Sequence, residues 1–229
     1  FSTPKPASPI LSGLVGSEMC IRDRFLNGAA CESDPNGLYN PKMKIRKEWK
    51  NGKYIYEVYP ASANAAVTYV SWYDSLRYCN WLGKSYKILN HELSAERIVN
   101  AEYFLPTENE WYKAAYYDPK GKKYKLYPLR DAHKIENSDR LESKSTYGMM
   151  ETSDHIWEWT ESEVGKAFRG IRSDSWFQGN NRQSAGRYYS NPEMELGHLG
   201  FRVARSILAE KTKDDSKKSA KPKRAKKFG

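Results

Sequence analysis

The sequence predicts an α+β fold with two main helices, short antiparallel sheets and much irregular structure. Three features carry this: two capping boxes that each open an amphipathic run, an Asn-Gly turn between strand-forming segments, and a last third holding only short strand-like runs. At 229 residues the chain is long enough for one sizeable core. Seven Trp and seventeen Tyr beside few aliphatic residues suit a loop-rich domain, because aromatics bury large areas while keeping a polar handle.

Residues 1–24 are set aside from the fold. Within them Leu14-Val15-Gly16-Ser17-Glu18-Met19-Cys20-Ile21-Arg22-Asp23 resembles the translation of a transposon-end sequencing adapter. The domain is expected over residues 25–208, with its start truncated: Phe25-Leu26-Asn27 reads as the last turn of a helix whose beginning is lost, and Asp34-Pro35-Asn36-Gly37 as a turn. Asn51-Gly52, followed by Tyr54-Ile55-Tyr56-Glu57-Val58, predicts a hairpin.

Ser71 stands three residues before Asp74, and Trp72, Leu76 and Cys79 then share one face, which predicts a helix over 71–82 ending at Gly83. Cys79 on that face reads as a small buried hydrophobe. Pro106-Thr107, with Glu110 at the capping-box position before Trp111, Ala114 and Ala115, opens the second helix. A polar insertion to about residue 146 reads as surface loops, and short strands are expected at 156–160, 167–171 and 200–204.

The net charge of +10 is unevenly placed. Residues 210–229 hold nine Lys or Arg against three acidic residues, and residues 1–24 hold three against two, which leaves the domain only +3. The tail from 209 to 229, rich in Lys, Ser and Ala, is expected to be disordered. No run approaches the ~20 apolar residues of a membrane span, and no charged-then-apolar leader opens the chain. Cys20, Cys31 and Cys79 fit neither a disulfide framework nor C-x-x-C zinc spacing.

Five blocks occur in order: Val70-Ser71-Trp72-Tyr73-Asp74 with Tyr78-Cys79-Asn80-Trp81-Leu82; Leu105-Pro106-Thr107-Glu108-Asn109-Glu110-Trp111; Tyr147-Gly148 leading into Ile156-Trp157-Glu158-Trp159-Thr160; Arg169-Gly170 leading into Ser175-Trp176; and Leu199-Gly200-Phe201-Arg202-Val203-Ala204. Together they resemble the sulfatase-modifying-factor family, the fold of formylglycine-generating enzyme, which implies a C-type-lectin-like architecture. The resemblance also implies an extracytoplasmic location, periplasmic or secreted.

Active members of that family bind copper through two cysteines shortly after the segment matched here by Ser173-Asp174-Ser175-Trp176. In this chain no cysteine follows Cys79, and amide side chains such as Gln178 are hard ligands that cannot replace thiolates for Cu(I). Copper and the oxidase reaction are therefore not expected. Related domains that work with iron draw their histidines largely from a separate helical bundle, and His91, His133, His155 and His198 are scattered, so no iron site is assigned.

The resemblance implies a calcium set at Glu151, Asp154, Ile156 and Glu158, from two side-chain oxygens and backbone carbonyls. A solvated acidic loop explains the same residues, and Asp154-His155 stiffens a turn where the family has Gly-Asn. It also implies a ligand cleft around Trp176, Gln178, Arg182 and Arg187. Arg169, Arg172, Arg182 and Arg187 read either as an anion-binding group there or as a solvated basic face. Trp157, Trp159 and Trp176 read as core, with the alternative that one of them lines a binding groove.

Three functions stay open. The favoured one is a non-catalytic binding or scaffold module for a peptide or glycan. The second is an enzyme of different chemistry in the same cleft, where the sequence offers no nucleophile with an identifiable base. The third is non-specific polyanion or nucleic-acid binding through Lys221-Pro222-Lys223-Arg224-Ala225-Lys226-Lys227.

Overall fold

The computed structural model describes residues 15–16, 19–89, 94–124, 145–147, 149, 156–173 and 187–206. In chain order the elements are β1 (Val15–Gly16), α1 (Met19–Ala29), β2 (Ile45–Lys50), β3 (Lys53–Val58), α2 (Trp72–Gly83), β4 (Tyr86–Leu89) and β5 (Ser94–Arg97). There follow β6 (Tyr103–Phe104), α3 (Glu108–Tyr116), β7 (Tyr117–Asp118), β8 (Lys123–Tyr124), β9 (Trp157–Val164), β10 (Phe168–Arg172), β11 (Tyr188–Ser190) and β12 (Leu199–Arg205).

Both capping boxes form. Ser71 Oγ accepts from the Asp74 amide while Asp74 accepts from the Ser71 amide, and Thr107 and Glu110 do the same for α3. The first of these two helices, α2, ends where Gly83 gives way to Lys84 in the left-handed region at φ 51°. Asn51 and Gly52, at φ 52° and 80°, make the turn that joins β2 to β3 in register from Ile45↔Val58 to Lys50↔Lys53. The basic tail and most of the polar insertion lie outside the described residues; the insertion's start, to Tyr124, is described and holds β8 where loops alone are expected, as is a short stretch near Tyr147.

Two features depart from the sequence expectation. A third helix, α1, begins at Met19, inside the adapter-like stretch, and Asn27 tethers it to the hairpin by exchanging amide hydrogen bonds with the Tyr56 backbone. From that stretch Arg22 is fully buried: Nη2 donates to the Leu38 carbonyl at 2.7 Å, while Nε and Nη1 find no acceptor among the described residues. The guanidinium also lies 4.8 Å over the Phe25 ring, so this buried charge is only partly satisfied. Second, the main sheet is mixed. Its order is β1-β12-β9-β10-β11, with β6 also on β12, and β12 runs parallel to β9. Parallel pairing needs a long crossover, which the 34 residues between Val164 and Leu199 supply. β12 is buried along nearly all its length, as a strand covered on both faces should be.

The core seam lies where α2 meets this sheet. Trp72 Nε1 donates to the Thr160 carbonyl at 2.9 Å, and Trp159 Nε1 to the Val70 carbonyl at 3.0 Å, so two buried indoles each close on the other's segment. Gly200 fits because any Cβ would stand 2.2 Å from the Val67 carbonyl oxygen. Cys79 is on the buried face of α2 and burial pushes its thiol well up, as expected of a packed rather than reactive cysteine.

Arg97 of β5 clamps α3 to β9. Its Nη1 and Nη2 donate to the Glu110 carboxylate at 3.0 and 2.8 Å, and it also pairs with Glu161. Burial pushes both carboxyls up. At Glu110, Arg97 and Thr107 outweigh burial and hold it below the ordinary value, whereas Glu161 stays above.

The signs are opposite. Glu161 favours the fold below the ordinary value of 4.5, and that contribution is lost as pH rises through its raised folded value; Glu110 favours the fold above 4.5 and loses its contribution on acidification. Relative to wild type, Glu161→Gln is therefore expected to gain stability as pH rises above the ordinary carboxylate value of 4.5, and Glu110→Gln to lose it as pH rises towards that value from below. Urea midpoints on both sides of that value check this, and parallel curves for all three proteins would refute it.

Candidate functional site

Alternation along β9 sends Trp157 and Trp159 to one face and Glu158 to the other. Trp159 is core; Trp157 is half-buried, edge to face with Tyr188 at 4.6 Å between ring centres. Glu158 is buried, and both its oxygens are engaged. Arg202 of β12 donates through Nε to Oε2 at 2.6 Å and through Nη2 to Oε1 at 2.5 Å, and Trp111 Nε1 of α3 donates to Oε2 at 2.7 Å. Three elements thus meet on one carboxylate.

Of the calcium set, Ile156 and Glu158 are described, while Glu151 and Asp154 lie outside the described residues. Glu158 does not fit the donor role. A calcium ion on its carboxylate would stand roughly 5 Å from the Arg202 guanidinium, a repulsion on the order of 6 kcal/mol at an effective dielectric constant of about 20. The buried pair needs no further cation to balance its charge.

Of the cleft residues, Trp176, Gln178 and Arg182 lie outside the described residues, and Arg187 is 70% exposed on its side chain. Arg187 faces the Glu108 carboxylate at 3.5 Å, and Arg172 reaches the same oxygen at 3.2 Å. Burial lowers Arg172, with Glu108 opposing that shift, and its guanidinium lies over the rings of Tyr112 and Trp111. Arg169 is also buried, lying 4.1 Å over Trp72 and 3.6 Å from Glu163.

A solvated basic face is therefore ruled out for two of the four arginines. Arg169 and Arg172 lie on β10, whose neighbours α2, α3 and β9 cover them, and of the three described arginines only Arg187 projects. What remains is an edge formed by Glu108, Arg187, Tyr112 and Tyr188, able to hold a ligand by charge and ring contact. His198, exposed, offers its backbone carbonyl to Trp157 N–H. The other three histidines lie outside the described residues, and the described ones hold no cluster of three His, Cys, Asp or Glu able to ligate a metal.

Three participants escaped the sequence reading: Glu108, Arg97 and Arg202. For Arg202 a signal existed, since an arginine inside Leu199-Gly200-Phe201-Arg202-Val203-Ala204 sits in a strand too apolar for solvent and must have a buried counter-charge.

Glu158→Gln is expected to cost about 3–5 kcal/mol in urea unfolding, because it strands a buried guanidinium. Glu158→Leu with Arg202→Met should cost less than Glu158→Gln alone; a single variant within about 1 kcal/mol of wild type would remove the pair's claimed weight. Thermal midpoints in calcium and in a chelator are expected to coincide, and a rise of several degrees in calcium that Glu158→Gln abolishes would reinstate Glu158 as a ligand.

Residues 39–207 match the sulfatase-modifying factor enzyme 1-like domain. A Bos taurus protein named inactive C-alpha-formylglycine-generating enzyme 2 is 29% identical over 167 residues, covering 60% of this chain and 49% of its own length. The Mus musculus protein of that name is 28% identical over 169 residues, covering 61% and 49%. The chain thus spans about half the length of these curated relatives. Among solved structures, PvdO from Pseudomonas aeruginosa superposes with a TM-score of 0.52 at 13% identity, over 85% of this chain and 79% of its own. CarF does so with 0.51 at 20% identity, over 72% and 74%. These two likenesses concern the fold alone. With its family model covering most of the folded residues, the chain belongs to the sulfatase-modifying factor enzyme 1-like domain family.

Proposed function

We propose that this chain is a non-catalytic binding or scaffold module on the formylglycine-generating-enzyme frame. The observation that carries the reading is the cysteine inventory. No cysteine follows Cys79, and Cys79 itself is buried with its thiol pushed up, so the chain offers no thiolate pair to a soft metal where the family does its chemistry. The word "inactive" in the names of the two relatives supports it. The ligand is a peptide or glycan held along the edge marked by Glu108, Arg187 and Tyr188, in an extracytoplasmic setting that follows from kinship.

The test is direct. Incubated with Cu(I), oxygen and a Cys-x-Pro-x-Arg peptide, the protein is expected to leave the cysteine unoxidised by mass spectrometry. Turnover above the copper-only control would overturn the reading.

A further inference from the structure

The hairpin β2–β3 concentrates the domain's charge. Residues 42–58 hold six Lys or Arg against two Glu, a net +4, whereas residues 25–209 together carry +3. Two of those lysines, Lys42 and Lys44, precede β2, so the hairpin itself, residues 45–58, is at +2 and the rest of the domain at +1.

Its two faces differ. On one, Arg46 pairs with Glu48 and Glu57, and Lys50 with Glu48, but at the tip Lys50 and Lys53 stand directly opposite each other. Like charges in that register are destabilising unless an anion lies between or above them. Lys53 makes no ion pair with any described residue. The other face carries Ile45, Lys47 and Trp49 against Val58, Tyr56 and Tyr54. Ile45 and Tyr56 are core, but Trp49 is 59% exposed, edge to face with Tyr54 at 4.7 Å, and Lys47 Nζ stands 4.1 Å from the Tyr54 ring. Most of the Trp49 indole is therefore open to solvent.

We propose that the tip of this hairpin is a stacking surface for single-stranded nucleic acid, with a base on Trp49 and phosphates along Lys50 and Lys53. Flat aromatic faces beside flexible lysines are what sequence-tolerant single-strand binding needs. An acidic glycan would meet the same charges, but recognising sugar hydroxyls needs directed amide or carboxylate partners. The Trp49 face carries no Asn, Asp, Gln or Glu. Duplex DNA keeps its bases stacked inside and offers nothing to the indole.

The experiment uses the full chain, basic tail included, and fluorescence anisotropy with a labelled oligothymidylate of roughly 16 nucleotides. Trp49→Ala is expected to weaken binding roughly 5- to 150-fold, while Trp49→Phe, which keeps a ring, retains most of it. Lys50→Ser with Lys53→Ser should flatten the slope of log affinity against log salt by about 0.7 for each phosphate that is no longer neutralised. Circular dichroism should be unchanged in all variants, since these side chains project from the surface. Equal affinity of Trp49→Ala and wild type would overturn the proposal and assign the binding to the tail. A Trp49-dependent affinity for heparin without one for oligothymidylate would overturn it in favour of a glycan.

Discussion

The buried carboxylate of Glu158 organises this molecule. It belongs to β9, its guanidinium partner to β12 and its indole donor to α3, so the central parallel pairing and the packing of the second capped helix are fixed by one charge. Taking both ions out of water is expensive, and only saturating geometry offsets it. That geometry is directional. An apolar trio of the same volume would hold the elements together without fixing the register in which Leu199, Gly200 and Phe201 lie beside Trp157, Glu158 and Trp159. The side-chain amide of Asn27 and the clamp of Arg97 do the same at smaller scale, each tying a helix or loop to a strand that it does not follow in sequence.

What could be read from the sequence was local. Ser71 with Asp74, Thr107 with Glu110 and Asn51-Gly52 determine structure within four residues of themselves, so capping and turn chemistry named the helices and the hairpin correctly. Pairing across long separations could not be read. β6 and β11 are too short to show alternation, and nothing within β9 or β12 announces a parallel neighbour. The arginines show the same limit. Arg169, Arg172 and Arg187 look alike in a chain of letters, but two are covered by neighbouring elements and one is not, and only the tertiary fold decides which.

The same limit applies to Glu158. A carboxylate in a Trp-Glu-Trp strand is as suited to a cation as to a guanidinium, and the choice depends on Arg202, forty-four residues away. The two candidate sites therefore differ in kind. The β9 end is closed by its own charges, whereas the edge at Glu108 keeps the exposed Arg187 guanidinium beside its carboxylate.

Between the regular elements the fold is held by backbone contact. Tyr69 sits at φ 57°, a region that bulky residues avoid, yet its N–H donates to the Leu196 carbonyl and its ring fits over Gly197, where any Cβ would stand 2.6 Å from the phenolic oxygen. Three residues on, Trp72 N–H reaches the Pro192 carbonyl, and Gly200 lies against Val67. Residues 67–72 and 192–200 therefore form a seam that replaces sheet hydrogen bonds, and it works only because glycine stands at the two closest approaches. A frame fixed in this way leaves its outward loops free to differ in chemistry. That is how one architecture can keep its core motifs in a chain that has no cysteine after Cys79.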